Sequence, residues 1–254
     1  MIFDTHAHYD DERFNEDREQ LLASMKDAGI GYIVNVGANL DTTRRTLELA
    51  HKYDFVYAAV GVHPSDSAEL NEDNFELLRE WSDDGRCVAI GEIGLDYHWP
   101  EPGKDVQKKW FLRQLDLARE KRLPVIIHSR DAAEDTVNTM KEAHAEEIGG
   151  VVHCFSYSAE IAKVCLNMGF YIGVGGVITF KNGRKLREVV DVTPMDRILL
   201  ETDCPYLAPE PYRGKRNNST YLPHVVKEIA AIKGISEEEV QRITLDNARR
   251  MYGI

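Results

Sequence analysis

Two histidines stand close together near the start of the chain, in the segment MIFDTHAH. In an extended segment, residues two apart point to the same side, so His6 and His8 can hold one metal ion together. An apolar core has no use for two such imidazoles, whereas neutral imidazole is a common ligand of divalent metals. The pair therefore predicts a metal site at the end of a first strand, and hydrolysis is the chemistry such a site favours.

Similar side chains follow other apolar runs, each time where the run ends. They are His63 after AVGV, Glu92 and Asp96 within AIGEIGLD, His128 after VII, His153 after VV, and Glu201 and Asp203 in LLETD. A lone histidine in such a place is more often a surface or hydrogen-bonded side chain than a ligand. Counting the run before His6 and His8, such side chains recur after six apolar runs. This would be an odd accident in a purely structural protein, and imidazole with carboxylate suits divalent ions.

The number of these side chains predicts two metal ions. The expected ligands are His6, His8, Glu92, His128, His153 and Asp203. They exceed the three or four ligands of a single catalytic zinc, so we expect two ions with Glu92 as the shared carboxylate. Zinc, manganese and magnesium all suit the set. Two ions can deprotonate a water and clamp the oxygens of a phosphoryl group.

The elements that must position these residues are eight short apolar runs that alternate with segments of helical periodicity. The runs are Ile2–Thr5, Tyr32–Val36, Val56–Val62, Val88–Ile93, Pro124–Ile127, Gly150–Val152, Tyr171–Val174 and Ile198–Glu201. Eight βα units close naturally into a (β/α)8 TIM barrel, an α/β fold whose active site lies at the carboxyl ends of the strands. Because no linker interrupts the series, we expect a single domain over 1–254.

Two helices carry clear end signals. The segment Asp17–Ala28 has an apolar face and stops at Gly29, and Ser236 with Glu239 forms a capping box that begins the last helix. The segments expected to be long loops are 96–105 and 208–220. The histidines expected at the surface of helical segments are His51, His144 and His224.

Composition excludes several classes of protein. The net charge of −12 argues against a broad electropositive surface that wraps duplex nucleic acid, although a local basic patch is compatible with it. Charge arrives too early for a signal peptide, and the longest apolar stretch, Gly169–Phe180, is too short to span a bilayer, so we expect a cytoplasmic protein. No CxxC pair occurs, which predicts buried, reduced thiols at Cys87, Cys154, Cys165 and Cys204.

No GxSxG elbow, P-loop or GxGxxG motif competes with the metal hypothesis. The sequence resembles the TatD family of metal-dependent deoxyribonucleases, within the amidohydrolase-like barrels, over essentially the whole chain. The motifs that carry the resemblance are DTHAH at 4–8, GVHP at 61–64, GEIGLDYH at 91–98, PVIIHSR at 124–130, VVHCFS at 151–156, ETDCPYL at 201–207, RGKRN at 213–217 and NARRMYG at 247–253.

This resemblance implies how the ligands divide between the ions. It assigns His6, His8 and Asp203 to one ion, His128 and His153 to the other, and Glu92 to both. Many other amidohydrolase-like barrels use a carboxylated lysine from the fourth strand as the bridge. Here the corresponding strand carries Glu92, which separates the chain from many small-molecule hydrolases.

The implied activity is hydrolysis of DNA phosphodiester bonds from an end, on single-stranded or frayed substrate. A hydroxide activated by the two metals would attack phosphorus, with Glu92 and Asp203 as the catalytic residues and Asp203 as the proton acceptor. His63 would contact or orient substrate, and Glu201 would support the ligands. The residues expected to bind phosphate are Arg130, Arg213, Lys215 and Arg216, and those expected either to stack a base or to pack at the rim are Phe155, Tyr157 and Tyr206.

Two other hypotheses remain open from the residues themselves. The same metal site would serve hydrolysis of a small-molecule amide, lactone or phosphoester, since one fold supports several chemistries. A catalytically silent barrel that acts as an interaction module would instead lack a ligand, and none is missing. Beyond DNA as substrate, the sequence indicates neither a membrane nor an obligate protein partner.

Overall fold

A computed structural model describes residues 1–254, with eight strands and nine α-helices. The strands are β1 (Ile2–Ala7), β2 (Ile30–Val36), β3 (Val56–Val60), β4 (Cys87–Asp96), β5 (Val125–Arg130), β6 (Gly150–Val152), β7 (Tyr171–Val174) and β8 (Ile198–Leu200). The helices are α1 (Arg18–Ala23), α2 (Leu40–Lys52), α3 (Glu72–Trp81), α4 (Lys104–Lys121), α5 (Ala133–Glu142), α6 (Ala159–Asn167), α7 (Arg184–Val192), α8 (Leu222–Lys233) and α9 (Glu237–Tyr252).

The strands form one parallel sheet in the order β1 to β8. The two ends of the sheet meet: Ala7 bridges Cys204, and the Thr5 hydroxyl donates to the Leu200 carbonyl at 2.9 Å. Eight parallel strands, joined by helices and curled until the first meets the last, are a TIM barrel. The predicted fold class is therefore confirmed, and each of the eight predicted apolar runs is a strand.

Strand β4 is longer than its apolar run predicts. Its pairing with β5 continues from Gly94 opposite His128 to Asp96 opposite Arg130. Gly94 permits this close approach, since its φ is +144° and a Cβ there would lie 2.0 Å from the His128 carbonyl oxygen. The extended pairing carries Glu92 and Asp96 alongside the end of β5.

Two layers of buried side chains hold the barrel. One cluster takes residues from every strand and lies inside the barrel, where the last turns of α9 pack against it with Ala248, Met251 and Tyr252. The other takes the alternate strand positions and packs them against the surrounding helices. Tyr252 reaches far enough into the barrel for its hydroxyl to donate to the Thr5 carbonyl at 2.9 Å.

The helix signals hold with two corrections. Helix α1 ends at Ala23, not Ala28, because the chain continues in turns to Gly29, whose φ is +81°. Ser236 caps α9 by accepting from the Glu239 amide at 3.1 Å, but the return bond of a full capping box is absent. His51 and His144 are exposed, whereas His224 is half-buried against Tyr212. None of the helices is both long and apolar enough to cross a bilayer.

Candidate metal centre

The end of β1 and the segment after β8 bring the first group of ligands together. The amide of Asp203 donates to the His6 carbonyl at 2.9 Å, and the amide of His8 donates to the Cys204 carbonyl at 2.8 Å. These bonds place the Asp203 carboxylate beside both imidazoles, with its Oδ1 3.4 Å from His8 Nε2 and 3.7 Å from His6 Nε2. The two Nε2 atoms are 3.1 Å apart.

Glu92 lies between two groups of histidines and turns one carboxylate oxygen to each. Its Oε2 is 3.4 Å from His6 Nε2 and 3.8 Å from His8 Nε2. Its Oε1 is 2.7 Å from His128 Nδ1 and 2.7 Å from His153 Nε2. This is the arrangement that a carboxylate bridging two ions requires.

Neighbouring groups hold the imidazoles in orientation. His8 Nδ1 lies 2.9 Å from the Val36 carbonyl, which points its Nε2 into the cluster. His128 Nε2 lies 3.1 Å from Asp96 Oδ2, so this ring stands between two carboxylates. His63 Nδ1 accepts from the Ser65 amide at 3.1 Å, which turns its Nε2 to within 3.7 Å of Glu92 Oε1.

Glu201 lies behind the cluster in a fully buried position. Its Oε1 accepts from the Cys154 amide at 2.5 Å, and its Oε2 has no hydrogen-bond partner. Gly173 leaves room for this carboxylate, because a Cβ there would lie 2.3 Å from Oε2. Burial raises the pKa of Glu201 to about 7. The Nδ1 atoms of His6 and His153 are also buried without partners.

The electrostatics of the cluster suit a cation. Burial alone would raise the pKa of Glu92, but the imidazoles of His153 and His6 hold it well below its ordinary value. Burial likewise opposes ionisation of Asp203, yet the bond to His8 keeps its pKa low. Burial lowers the pKa of His6 to about 4, which leaves a neutral imidazole. Burial also works against protonation of His8, but Asp203 and Glu92 raise its pKa to about 9, so a metal would displace a proton there.

The spacing of the donor atoms tests whether a metal fits. Ligands placed about 2.1 Å from one tetrahedral ion lie about 3.4 Å from each other. The distances of 3.4 Å from His6 Nε2 to Glu92 Oε2 and from His8 Nε2 to Asp203 Oδ1 agree with that spacing. In each of three groups of residues, the ligand atoms lie within 4.8 Å of one another. The groups are His6, His8 and Asp203; His6, His153 and Glu201; and His63, Glu92 and His128. The first group of ligands thus fits a divalent metal by spacing. The second fits by the type of its donors, while its distances of 2.7 Å from Glu92 Oε1 to His128 Nδ1 and His153 Nε2 are those of hydrogen bonds.

Sequence reasoning missed the role of two buried acids. Asp4 accepts from the Thr202 amide at 3.0 Å, from the Thr202 hydroxyl at 2.7 Å and from the Ser219 hydroxyl at 2.6 Å. It thereby fixes the segment that carries Asp203. Asp96 was recognised as a ligand-type residue, but its contact with His128 follows only from the β4–β5 register. An acid within a strand, DTHAH, was the available signal for Asp4.

The predicted substrate-binding residues occupy different environments. Arg130 is exposed at the end of β5, and its side chain has no hydrogen bond or ion pair. It stands two residues after the candidate ligand His128 and pairs in register with Asp96. Arg216, in contrast, is bound to Asp17 at 2.5 and 2.8 Å and to the Arg13 carbonyl at 2.6 Å.

The other two cations of the basic segment, RGKRN at 213–217, are Arg213 and Lys215. Arg213 is exposed with its guanidinium carbon 4.3 Å from the Phe180 ring centroid, and Lys215 is exposed 5.9 Å from the Tyr212 ring. Neither makes an ion pair with a protein carboxylate. Tyr206 is 48% exposed, but the guanidinium of Arg13 covers its ring at 4.1 Å. The substrate-binding role of these residues stays a prediction.

Two rings that were candidates for base stacking are engaged within the protein. Phe155 is buried and packs edge-on against Tyr157, with ring centroids 5.9 Å apart. The Tyr157 hydroxyl lies 2.9 Å from the Ser129 hydroxyl and accepts from the Ala132 amide at 3.2 Å. Packing is therefore the correct interpretation for the buried Phe155. Tyr157 is half-buried with its hydroxyl bound within the protein, and its choice between stacking and packing stays a prediction.

Comparison with known proteins shows the family of the chain. The sequence profile of the family described as TatD related DNase matches residues 3–253. The uncharacterized metal-dependent hydrolase YabD of Bacillus subtilis is 47% identical over 254 residues, which cover 100% of each chain. The 3'-5' ssDNA/RNA exonuclease TatD of Pectobacterium parmentieri is 34% identical over 257 residues and 99% of each chain.

A solved structure shows the same architecture. The crystal structure of YJJV, a TatD homolog from Escherichia coli K12, superposes with a TM-score of 0.94 at 31% identity and covers 100% of this chain and 98% of its own. The whole-chain profile match and the full-length relatives carry the same conclusion. The chain belongs to the TatD family of metal-dependent hydrolases.

Proposed function

We propose that this protein is a two-metal phosphodiesterase that removes nucleotides from an end of single-stranded or frayed DNA. The observation that carries the proposal is the position of Glu92. One of its oxygens faces His6 and His8, and the other lies 2.7 Å from both His128 and His153. A buried carboxylate shared by two groups of imidazoles is suited to a pair of ions.

Two observations favour a nucleic acid over a small neutral substrate. Arg130 is exposed two residues after His128 and has no carboxylate partner, so its guanidinium is free to bind a phosphate oxygen. The relative from Pectobacterium parmentieri is named as an exonuclease of single-stranded DNA and RNA. Because the chain carries a net charge of −12, we expect contacts limited to a few nucleotides at the site and not along a long duplex.

The residues of the cluster have separate roles in metal binding, proton transfer and substrate binding. His6, His8 and Asp203 would hold one ion, His128 and His153 the other, and Glu92 both. When bound, such ions lower the pKa of a water molecule and neutralise charge on phosphoryl oxygens. Asp203 receives the proton of the attacking water on its carboxylate, which lies at the open side of the cluster. Arg130 orients the scissile phosphate, and Glu201 stays behind the imidazoles, outside the reaction path.

The test is metal-dependent release of mononucleotides from a single-stranded oligonucleotide. Protein stripped of metal should be inactive, and magnesium, manganese or zinc should restore activity. Glu92→Gln should lower the rate at least about 10³-fold, because several kcal/mol of charge stabilisation are lost with the bridge. Glu237→Gln, an exposed position on α9, is the matched control and should keep the wild-type rate.

Two results would overturn the proposal. Equal activity of wild type and Glu92→Gln would identify the nuclease as a contaminant. Metal-dependent hydrolysis of small amides, lactones or phosphoesters without cleavage of any oligonucleotide would instead establish the small-molecule alternative. Metal content measured after gentle purification checks the two-ion count, and one equivalent or less in fully active protein would contradict it.

A further inference from the structure

We infer that Trp99, at the tip of the loop between β4 and α4, is a stacking platform for a base of the single-stranded substrate. The inference rests on the proposed function and adds a nucleobase subsite to it. Trp99 is 57% exposed, whereas Trp110 is buried and Trp81 is half-buried. Exposure alone would not single out this ring, but Trp99 follows by three residues Asp96, whose carboxylate contacts the candidate ligand His128 at 3.1 Å.

The loop that carries Trp99 is held firmly at its base. The buried side chain of Gln107 accepts from the Asp96 amide at 2.8 Å and donates to the carbonyls of Asp96 and Pro102, each at 2.8 Å. The amide of Tyr97 donates to the Arg130 carbonyl at 2.9 Å. One glutamine thus closes both ends of the loop, so the indole is presented on an ordered support and stacking on it would cost little conformational entropy.

One residue joins this loop to the metal centre. Asp96 lies 3.1 Å from His128 Nε2 through its Oδ2 and accepts from the His98 amide at 2.9 Å through its Oδ1. His98 in turn contacts Trp99, with ring centroids 4.8 Å apart and ring planes at 84°. A single aspartate therefore links the backbone next to Trp99 to a candidate ligand. A base on Trp99 would then sit within a short stretch of the same strand whose phosphate reaches the cluster.

The surroundings of Trp99 favour a base over a protein partner. The perpendicular contact with His98 leaves at least one face of the indole open. Charges of both signs lie near the loop: Lys104 Nζ is 4.0 Å from the Tyr97 ring centroid and Arg130 pairs in register with Asp96, whereas Asp135 accepts from the Tyr97 hydroxyl at 2.8 Å and Asp131 lies 3.4 Å from His98 Nδ1. No broad apolar patch surrounds the ring, as a stable protein interface would require. An isolated flat ring with cations nearby matches a nucleotide.

The experiment uses intrinsic tryptophan fluorescence of the full-length protein in EDTA, which prevents hydrolysis. A ten-nucleotide oligo(dT) should quench the tryptophan emission of the wild type, and this quenching should be lost in Trp99→Ala. Trp81→Phe is the matched control and should keep the quench. Affinity is measured by the anisotropy of a fluorescein-labelled oligo(dT), which does not depend on Trp99 as reporter. Binding by Trp99→Ala should be about 5- to 100-fold weaker than wild type, and Trp99→Phe should recover part of the loss because a phenyl ring still stacks.

An abasic oligonucleotide of the same length separates stacking from charge. It keeps the phosphates and lacks the bases, so wild type and Trp99→Ala should bind it equally. Equal binding of oligo(dT) by both proteins, with DNA hydrolysis intact, would overturn the stacking platform and leave the proposed function standing. Failure of every variant to bind or cleave oligonucleotides would overturn the proposed function itself.

Discussion

At the scale of single residues, the cluster depends on carboxylates that each touch more than one partner. Glu92 faces two groups of imidazoles, and Asp96 connects His128 to the Trp99 loop. Asp4 ties Thr202 to Ser219 below Asp203. An acid with several partners positions its neighbours more narrowly than a single contact would, because moving one partner breaks the others.

Replacement of Asp96 by asparagine tests this positioning. The substitution keeps the size of the side chain but removes the charge that holds His128 Nε2 at 3.1 Å. We expect metal affinity to fall about 10- to 100-fold, as for other groups that orient metal ligands. Titration calorimetry of the stripped protein with manganese or zinc measures the change.

The control for this measurement is Asp131→Asn. Asp131 lies 3.4 Å from His98 Nδ1, in the same neighbourhood, and does not contact His128. It should bind metal like wild type. Wild-type affinity in Asp96→Asn would show that the register of β4 and β5 alone holds His128.

The sequence allowed the types and positions of the candidate site residues to be predicted, but not how their side chains are oriented toward each other. Each candidate ligand follows an apolar run, so His6, Glu92 and Asp203 could be recognised from position and residue type. Which oxygen of Glu92 faces which imidazole depends on the closure of the barrel and on the β4–β5 register. Arg216 shows the same limit, since nothing local in RGKRN indicates that its last arginine pairs with Asp17.

At the scale of elements, the long segment after β8 is anchored to the first turn of α1. Arg216 binds Asp17 through two short hydrogen bonds and also the Arg13 carbonyl. The bond from Arg216 lowers the pKa of Asp17 below its ordinary value. The stabilisation is therefore fully present above the ordinary carboxylate pKa, at neutral pH, and is lost only as the pH falls through the lowered pKa.

Removal of this anchor should loosen the basic segment. In Asp17→Asn, trypsin should cleave after Arg213 or Lys215 about two- to fivefold faster at pH 8, the range expected for a surface ion pair worth up to about 1 kcal/mol. Mass spectrometry of the fragments gives the rate at each position. Glu16→Gln, its exposed neighbour, should be cleaved like wild type. Equal rates in all three proteins would mean that the Arg13 carbonyl alone holds the segment.

At the scale of the whole molecule, the barrel was the most predictable feature, and the exact ends of its strands and helices were the least predictable. Alternation of apolar runs with helical segments is repeated eight times, so an error in one boundary leaves the fold unchanged. The boundaries moved where backbone geometry outweighs hydrophobicity. Strand β4 runs past its apolar residues because Gly94 allows close pairing, and α1 stops early in turns that lead to Gly29.

The same burial that closes the barrel should make its buried thiols inert. Of the four cysteines predicted to be buried, Cys87, Cys165 and Cys204 are, whereas Cys154 is half-buried. Burial raises the pKa of the Cys87 thiol to about 12 and that of the Cys165 thiol to about 11. Both residues belong to the outer core cluster, away from the metal centre. Because the thiolate is the reactive form, native protein at pH 8 should react slowly with DTNB, and denatured protein should release colour for all four cysteines.

Cys87→Ala and Cys165→Ala should each lower by one the number of thiols that react in denatured protein, without changing the rate of reaction of native protein. Rapid labelling of either thiol in the native state would mean that the layer between strands and helices opens far more often than a packed single core allows.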